Sequence, residues 1–270
     1  SAETEITIAV AQVTNNLPAM KAMIVQAHRK NADLIVFPER AIAETALAQL
    51  QTAARENRVA IAVGMEHRAE GGLRNSAFVL SPDGSILTRY DQLSATSPYQ
   101  AGTNAASMWF RVKGVPAVVT IGRDALWTEL AELAAVAGAQ IHVHLDHDAA
   151  TDPEADLRRL QVGSNLASFQ TFSATANVVG SAIWDDLRAA DETRAEVRGQ
   201  PRPDTGLVEV YSPFSANLAV RAGNAPQLII ATRQVGRANL YHPRRTSNLN
   251  PQMDAWYRLG ASILNPGQPP

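Results

Sequence analysis

The 270-residue chain contains no cysteine. That excludes thiolate nucleophiles, cysteine-ligated zinc, iron–sulfur ligation and disulfides together. An excess of charge of one sign is also lacking: 24 Lys and Arg oppose 26 Asp and Glu, for a formal net charge of -2. No global basic field draws the chain toward nucleic acid or an anionic membrane. No apolar run approaches the ~20 residues that span a bilayer. The polar, acidic start carries no apolar h-region of a secretory signal. No Gly-rich phosphate loop of the P-loop or dinucleotide type is present. What remains is a folded composition, 46% hydrophobic and 19% charged. Its length suits one large or two modest domains. These features predict a cytoplasmic protein with no nucleic-acid, membrane or cofactor partner. Ser1, in place of an initiator methionine, and the proline-rich end fit a domain of a longer polypeptide.

Short apolar runs alternate with helical periodicity. Ile6–Val13 reads as a buried strand. Met20, Met23, Ile24 and Ala27 recur at helical spacing over Ala19–Lys30. Leu34–Phe37 is a second buried strand, stopped by Pro38. Strand, helix, strand predicts parallel pairing through a crossover. Ala43–Asn57 reads as helix and Val59–Gly64 as strand. Asn75–Leu80 and Ser85–Tyr90 flank Pro82-Asp83-Gly84, a hairpin signal. A loop over Asp91–Ala106 leads to strands Ser107–Val112 and Pro116–Ile121. Leu126–Ala137 reads as a helix capped by Gly138, and Ile141–Leu145 as a strand. Asp146–Asp156 reads as a loop, Leu157–Thr171 as a helix and Ser173–Val179 as a strand. Asp185–Pro203 mixes charges of both signs and reads as a solvated excursion. Gly206–Tyr211 with Ala216–Val220 reads as a second hairpin, and Leu228–Gln234 as the last strand. Met253–Leu264 has the spacing of a short helix carrying Trp256 and Tyr257. This predicts one α/β domain over 1–240, followed by an extension, 241–270, that packs on the domain or on a partner.

Glu39 follows a buried strand and a proline, so its carboxylate stands at a strand end, where ligands of α/β folds gather. Partly desolvated there, it can act as a base. A surface pair with Arg40 explains the position equally well. Thr120-Ile121-Gly122-Arg123-Asp124 closes another apolar strand. Asp124 can cap the following helix, and Glu129 suits its first turns. In His142-Val143-His144-Leu145-Asp146, the residues His142, His144 and Asp146 share one strand face, a candidate metal set. The competing reading is a pair of pocket-lining histidines followed by a solvated acidic loop.

Taken in order, these segments resemble the nitrilase, or carbon–nitrogen hydrolase, superfamily. Leu34-Ile35-Val36-Phe37-Pro38-Glu39 is similar to the segment holding the general-base glutamate. Asn75-Ser76-Ala77, Pro82-Asp83-Gly84 and Tyr90 are similar to the hairpin leading to the catalytic lysine. Ile121–Glu129, followed by Gly138-Ala139, resembles the nucleophile elbow and its helix. Ala176-Asn177, Gly180-Ser181, Ser212-Pro213 and Leu228–Thr232 continue the likeness. The resemblance implies a four-layer α-β-β-α sandwich. It also implies a cysteine thiolate attacking a nitrile or amide carbon, with a glutamate as base and a lysine stabilising the tetrahedral intermediate.

Carried over, the glutamate falls on Glu39, the lysine on Gln92 and the cysteine on Gly122. The second family glutamate, after the nucleophile, falls on Glu129. Cysteine-dependent chemistry is impossible without a thiol. Gln92 donates hydrogen bonds without positive charge. Thr120 and Ser94 lie near the relevant loops by the family map, but neither has a base and an orienting partner recognisable in sequence. Arg123 is a candidate replacement cation, paired with Glu39 or Asp124 or directed to the surface. The leading expectation is a non-catalytic nitrilase-like domain with a structural, assembly or regulatory role, as a homo-oligomer or beside another domain of a larger protein. The alternatives are a small-ligand module using Glu39, Gln92 and Arg123, and a divergent amide or nitrile hydrolase using water or metal.

Overall fold

Alternation of side chains along the first strand sets the layering. Ile6, Ile8 and Val10 enter one core, while Ala9 and Ala11 enter another, as the period of a strand with both faces covered requires. The computed structural model describes residues 4–167, 171–184, 218–235, 255, 258–260 and 262–263. The described elements run β1 (Thr4–Gln12), α1 (Leu17–Arg29), β2 (Leu34–Val36), α2 (Leu47–Asn57), β3 (Ala60–Ala69), β4 (Gly72–Leu80), β5 (Ile86–Asp91), β6 (Trp109–Val112), β7 (Val115–Ile121), α3 (Thr128–Val136), β8 (Ile141–Leu145), α4 (Pro153–Ala167), β9 (Phe172–Ala176), β10 (Ala182–Trp184), β11 (Leu218–Arg221) and β12 (Gln227–Val235).

Two six-stranded mixed sheets result, ordered β12-β1-β2-β3-β4-β5 and β11-β10-β9-β8-β7-β6. The centre of each is parallel, β1-β2-β3 in one and β7-β8-β9 in the other. One apolar core lies between the sheets and joins residues of both. A second holds Met20, Ile24, Leu50 and Ala54 of α1 and α2 against the outer face of the first sheet. On the far side, α4 packs on β9, β10 and α3. Helix, sheet, sheet, helix is the four-layer α-β-β-α sandwich the resemblance implies. The carboxyl ends of β2 and β7 carry the segments Pro38-Glu39 and Gly122-Arg123.

Several elements differ from the sequence reading. β3 and β4 extend through polar residues, beyond the expected Val59–Gly64 and Asn75–Leu80, to a hairpin at Ala69 and Gly72; the apolar pattern stops at Met65 because half of this extension faces solvent. The helix expected from Ala43 begins as a 3-10 turn over Glu44–Ala46. The helix expected over Leu126–Ala137 is a 3-10 segment, Gly122–Leu126, followed by α3. α4 starts at Pro153, inside the expected loop, because Pro pre-sets the first helical turn and Asp152 Oδ1 accepts from the Ala155 N–H at 2.9 Å. The run Ser173–Val179 ends early at Ala176; a turn held by the Ser181 hydroxyl leads into β10, which the sequence reading did not separate.

The charged stretch 185–203, most of the second hairpin, Trp256, Tyr257 and the 240/241 boundary lie outside the described residues. The described residues 255, 258–260 and 262–263 are helical, and Gly260 packs against Leu133 of α3. Among the described residues no helix is long and apolar enough to cross a membrane.

Candidate functional site

Glu39 is pinned from across the sandwich. Its N–H donates to the Asp146 carbonyl at 3.1 Å. Its own carbonyl accepts from His147 Nδ1 at 2.9 Å. The loop after β8 thus fixes the residue after β2. The Glu39 side chain is buried, and Oε1 accepts from Asn75 Nδ2 at 2.8 Å. The same Asn75 amide donates to Gln92 Oε1 at 2.9 Å. Gln92 Nε2 reaches the Ile121 carbonyl at 3.4 Å. Asn75 therefore ties Glu39 to Gln92.

Gly122 adopts φ +52, the left-handed region that favours glycine. A Cβ built there would stand 2.8 Å from Gln92 Nε2 and 3.0 Å from Glu39 Oε2. Position 122 is thus the third corner of the group. Of the sequence candidates, the structure brings together Glu39, Gln92 and Gly122. Arg123 and Glu129 are exposed. Neither of the ion pairs considered for Arg123 forms. Arg40 supplies the cation: its Nε lies 3.3 Å from Glu39 Oε1, its Nη1 donates to Tyr99 OH at 3.5 Å, and Tyr99 OH donates to Glu66. Arg40 itself sits at φ +48, a strained setting for a residue with a Cβ.

Burial, then the nearby Asp146 charge, pushes the Glu39 carboxyl up to about 7, while Arg40 and the Asn75 hydrogen bond pull the other way. A carboxyl so placed exchanges protons near neutrality.

Asp124 does not cap a helix. It is fully buried. Its carboxylate accepts from Tyr90 OH at 2.5 Å, Leu93 N–H at 3.1 Å, Ser94 N–H at 2.8 Å and Ser94 Oγ at 2.6 Å. These bonds clamp the segment after β5 onto the turn after β7, and so hold Gln92 beside Gly122. Burial beside Asp124 drives the Tyr90 hydroxyl well above its usual titration range, so it remains a donor.

The histidine pair lies below this turn. Thr120 Oγ1 is 2.9 Å from His142 Nε2 and 2.9 Å from His144 Nδ1. A hydroxyl has one hydrogen, so at most one imidazole accepts from it and at least one donates to it. Burial, reinforced by His144, depresses His142 to about 3; burial also lowers His144, against the pull of Asp146 and Asp124. Both rings are therefore neutral. The metal set His142, His144 and Asp146 does not assemble: both rings turn to Thr120, and among the described residues no group of three His, Cys, Asp or Glu side chains could hold an ion. Thr120 has the imidazole neighbours of an activated hydroxyl, yet it is 1% exposed, out of reach of a substrate.

Sequence reasoning placed the three corners but not what links them. Asn75 and Ser76, polar residues leading an apolar strand, were the available signal for a bridging amide.

The carbon–nitrogen hydrolase family model matches residues 4–190. No curated protein matches the chain. Among solved structures, it is similar to a cysteine-to-alanine mutant of an amidase from Nesterenkonia AN1, of the nitrilase superfamily, at 15% identity over 93% of this chain and 97% of that one, with a TM-score of 0.67. The NitFhit protein of C. elegans aligns at 14% identity over 94% of this chain and 67% of that one, with a TM-score of 0.72. At such identities the likeness shows the fold alone. With the match spanning more than half of the chain, the protein belongs to the carbon–nitrogen hydrolase family.

Proposed function

We propose that this chain is a catalytically inactive member of its family, serving assembly, structure or regulation rather than carbon–nitrogen bond cleavage. One observation carries the reading: Asn75 Nδ2 bonds Glu39 and Gln92 at once, 2.8 and 2.9 Å away. Polar groups that must meet a substrate in a hydrolase here satisfy one another. They do so around Gly122, which has no nucleophile to offer. Small aliphatic amides and nitriles are therefore expected to give no turnover above buffer, with wild type and Glu39→Ala alike. Hydrolysis that disappears in a folded Glu39→Ala variant would sink the proposal.

Exposed apolar side chains support the assembly role. Leu126 is 63% exposed and Trp127 49%, just before α3; Leu157 of α4 is 66% exposed. Leu259 and Ile263, at 61% and 63%, add to the apolar surface, beside the Gly260 contact with α3. Ile86 and Leu87 of β5 are exposed elsewhere, but most of the large exposed apolar groups among the described residues lie on or beside α3 and α4, and such groups mark an interaction surface. A second copy of the chain, or another domain of a larger protein, is the occupant the proposal requires. Sedimentation velocity is expected to show a dimer that Trp127→Asp shifts to monomer. A monomeric wild type at all concentrations would leave only a separate partner domain.

A second reading has its own support. Glu39 Oε2 and Gln92 Nε2 present an acceptor and a donor to one point, the complement of a neutral amide. A cysteine-to-alanine mutant of the similar amidase was solved in complex with butyramide. Retention of such a ligand without turnover fits the same residues.

A further inference from the structure

The second sheet holds a chain of buried polar groups that the Glu39 site does not use. Thr120 and His144 are partners in register on the parallel strands β7 and β8, with His142 two residues earlier on β8. Val119, Ile121, Val143 and Leu145 enter the core between the sheets, so Thr120, His142 and His144 share the opposite face. Thr120 Oγ1 stands 2.9 Å from His142 Nε2 and 2.9 Å from His144 Nδ1. The two outer nitrogens of this chain, His142 Nδ1 and His144 Nε2, are buried and have no hydrogen-bond partner among the described residues.

With both rings neutral, the hydrogens have three arrangements. In the first, every hydrogen points from His142 toward His144. His142 Nε2–H donates to Thr120, the Thr120 hydroxyl donates to His144 Nδ1, and the last hydrogen sits on His144 Nε2. The second arrangement is the reverse, with its last hydrogen on His142 Nδ1. In the third, both rings donate to Thr120, and its own hydrogen is left buried without an acceptor among the described residues.

The charges nearby choose between the first two. Asp146 follows His144 by two residues, and Asp124 lies in the turn after β7. The attraction of both carboxylates is felt at His144. At His142 the neighbouring charge is that of His144 itself. Hydrogens that point toward the His144 end carry positive charge toward the carboxylates, whereas the reverse chain leaves a lone pair at that end.

We propose that His142, Thr120 and His144 form a one-way hydrogen-bond chain, held with both imidazole hydrogens on Nε2 by the negative charge at the carboxyl ends of β7 and β8. Asp146 and Asp124 also act on Glu39, so the His144 end of the chain borders the candidate site and its direction follows the charge there. Where that charge is lost, the chain is free to reverse. Each ring then carries its hydrogen on Nδ1, and the hydroxyl turns from His144 to His142. The number of hydrogens in the three groups stays the same. A change of charge at the site is thereby read as a change of tautomer at His142. None of this depends on whether the Glu39 group is catalytic.

Nitrogen-15 NMR of the histidine rings in the full chain, at mildly alkaline pH, reads the hydrogen positions directly. His142 and His144 are both expected in the Nε2–H form by about tenfold or more, a bias of about 1.4 kcal/mol. Asp146→Asn keeps the shape of the side chain and removes its charge; it is expected to lower that ratio at both rings together. Thr120→Val cuts the chain. When it is combined with Asp146→Asn, His144 is expected to follow the charge change and His142 to ignore it, an uncoupling that a merely structural hydroxyl would not produce. Nδ1–H as the main form of either ring in the wild type would overturn the chain, as would a ratio unchanged in Asp146→Asn. If Asp146→Asn fails to fold, the wild-type tautomers decide the matter alone.

Discussion

Asp124→Ala is expected to lower the stability of the domain by about 3–5 kcal/mol. Four donors converge on this carboxylate, from Tyr90, Leu93 and Ser94. Tyr90 is fully buried, so its hydroxyl has no water to turn to once the acceptor is gone. An orphaned buried donor costs about 1–3 kcal/mol, more than the bond itself contributes. Asp124→Asn keeps one acceptor oxygen but turns an N–H₂ toward groups that already donate, and is expected to fall between alanine and wild type. Urea denaturation of the three proteins measures this directly. A loss below about 1 kcal/mol in Asp124→Ala would show that the clamp is dispensable. The expected loss has a local counterpart: with the clamp cut, Gln92 no longer has a fixed seat beside Gly122.

Stability is expected to fall steeply as pH drops below about 6.5. His142 and His144 are fully buried and neutral in the fold. An imidazole with a depressed folded value binds a proton more readily unfolded than folded. Its contribution is complete above the unfolded value near 6.5 and is lost as pH falls toward about 3, where His142 titrates in the fold. Each unit in that window costs up to about 1.4 kcal/mol for His142, and His144 acts in the same direction. Glu39 works with the opposite sign. Its folded value, raised to about 7 from 4.5, means the folded state holds the proton longer, so its contribution is present below 4.5 and is lost as pH rises to about 7.

The two effects oppose each other between 4.5 and 6.5, and the stability maximum is expected near the top of that interval. Denaturant midpoints from pH 4 to 9 test this. His142→Leu is expected to flatten the acid limb, and Glu39→Gln to remove the decline on the alkaline side. An acid limb unchanged in His142→Leu would assign acid sensitivity to other groups.

Sequence patterning reached the fold through its buried strands. Ile6–Val13, Leu34–Phe37, Pro116–Ile121 and Ile141–Leu145 all lie on strands within a residue or two of their expected bounds, because strands covered on both faces write themselves as continuous apolar runs. The outer half of the β3–β4 hairpin was illegible for the converse reason: its partly exposed residues carry charge. At the site, the order of short segments located Glu39, Gln92 and Gly122. The bonds among them were out of reach. Asn75 meets Glu39 across 36 positions of chain, and Tyr90 meets Asp124 across 34. Local pattern carries no trace of such pairings. Asp124 read as a helix cap because aspartate before a helix usually is one; burial under β5 gave its carboxylate other donors. The pair of Glu39 with Arg40 was legible as an alternative, and it forms at 3.3 Å, but around a buried carboxylate rather than a surface one.

The backbone at Gly122 also gives sequence change here a direction. Any side chain at 122 must tolerate φ +52 and enter space that Gln92 Nε2 and Glu39 Oε2 approach to within 2.8 and 3.0 Å of its first carbon. A side chain introduced there would meet the backbone strain and both polar ends at once. Change at this position is therefore penalised until the turn after β7 is itself rebuilt.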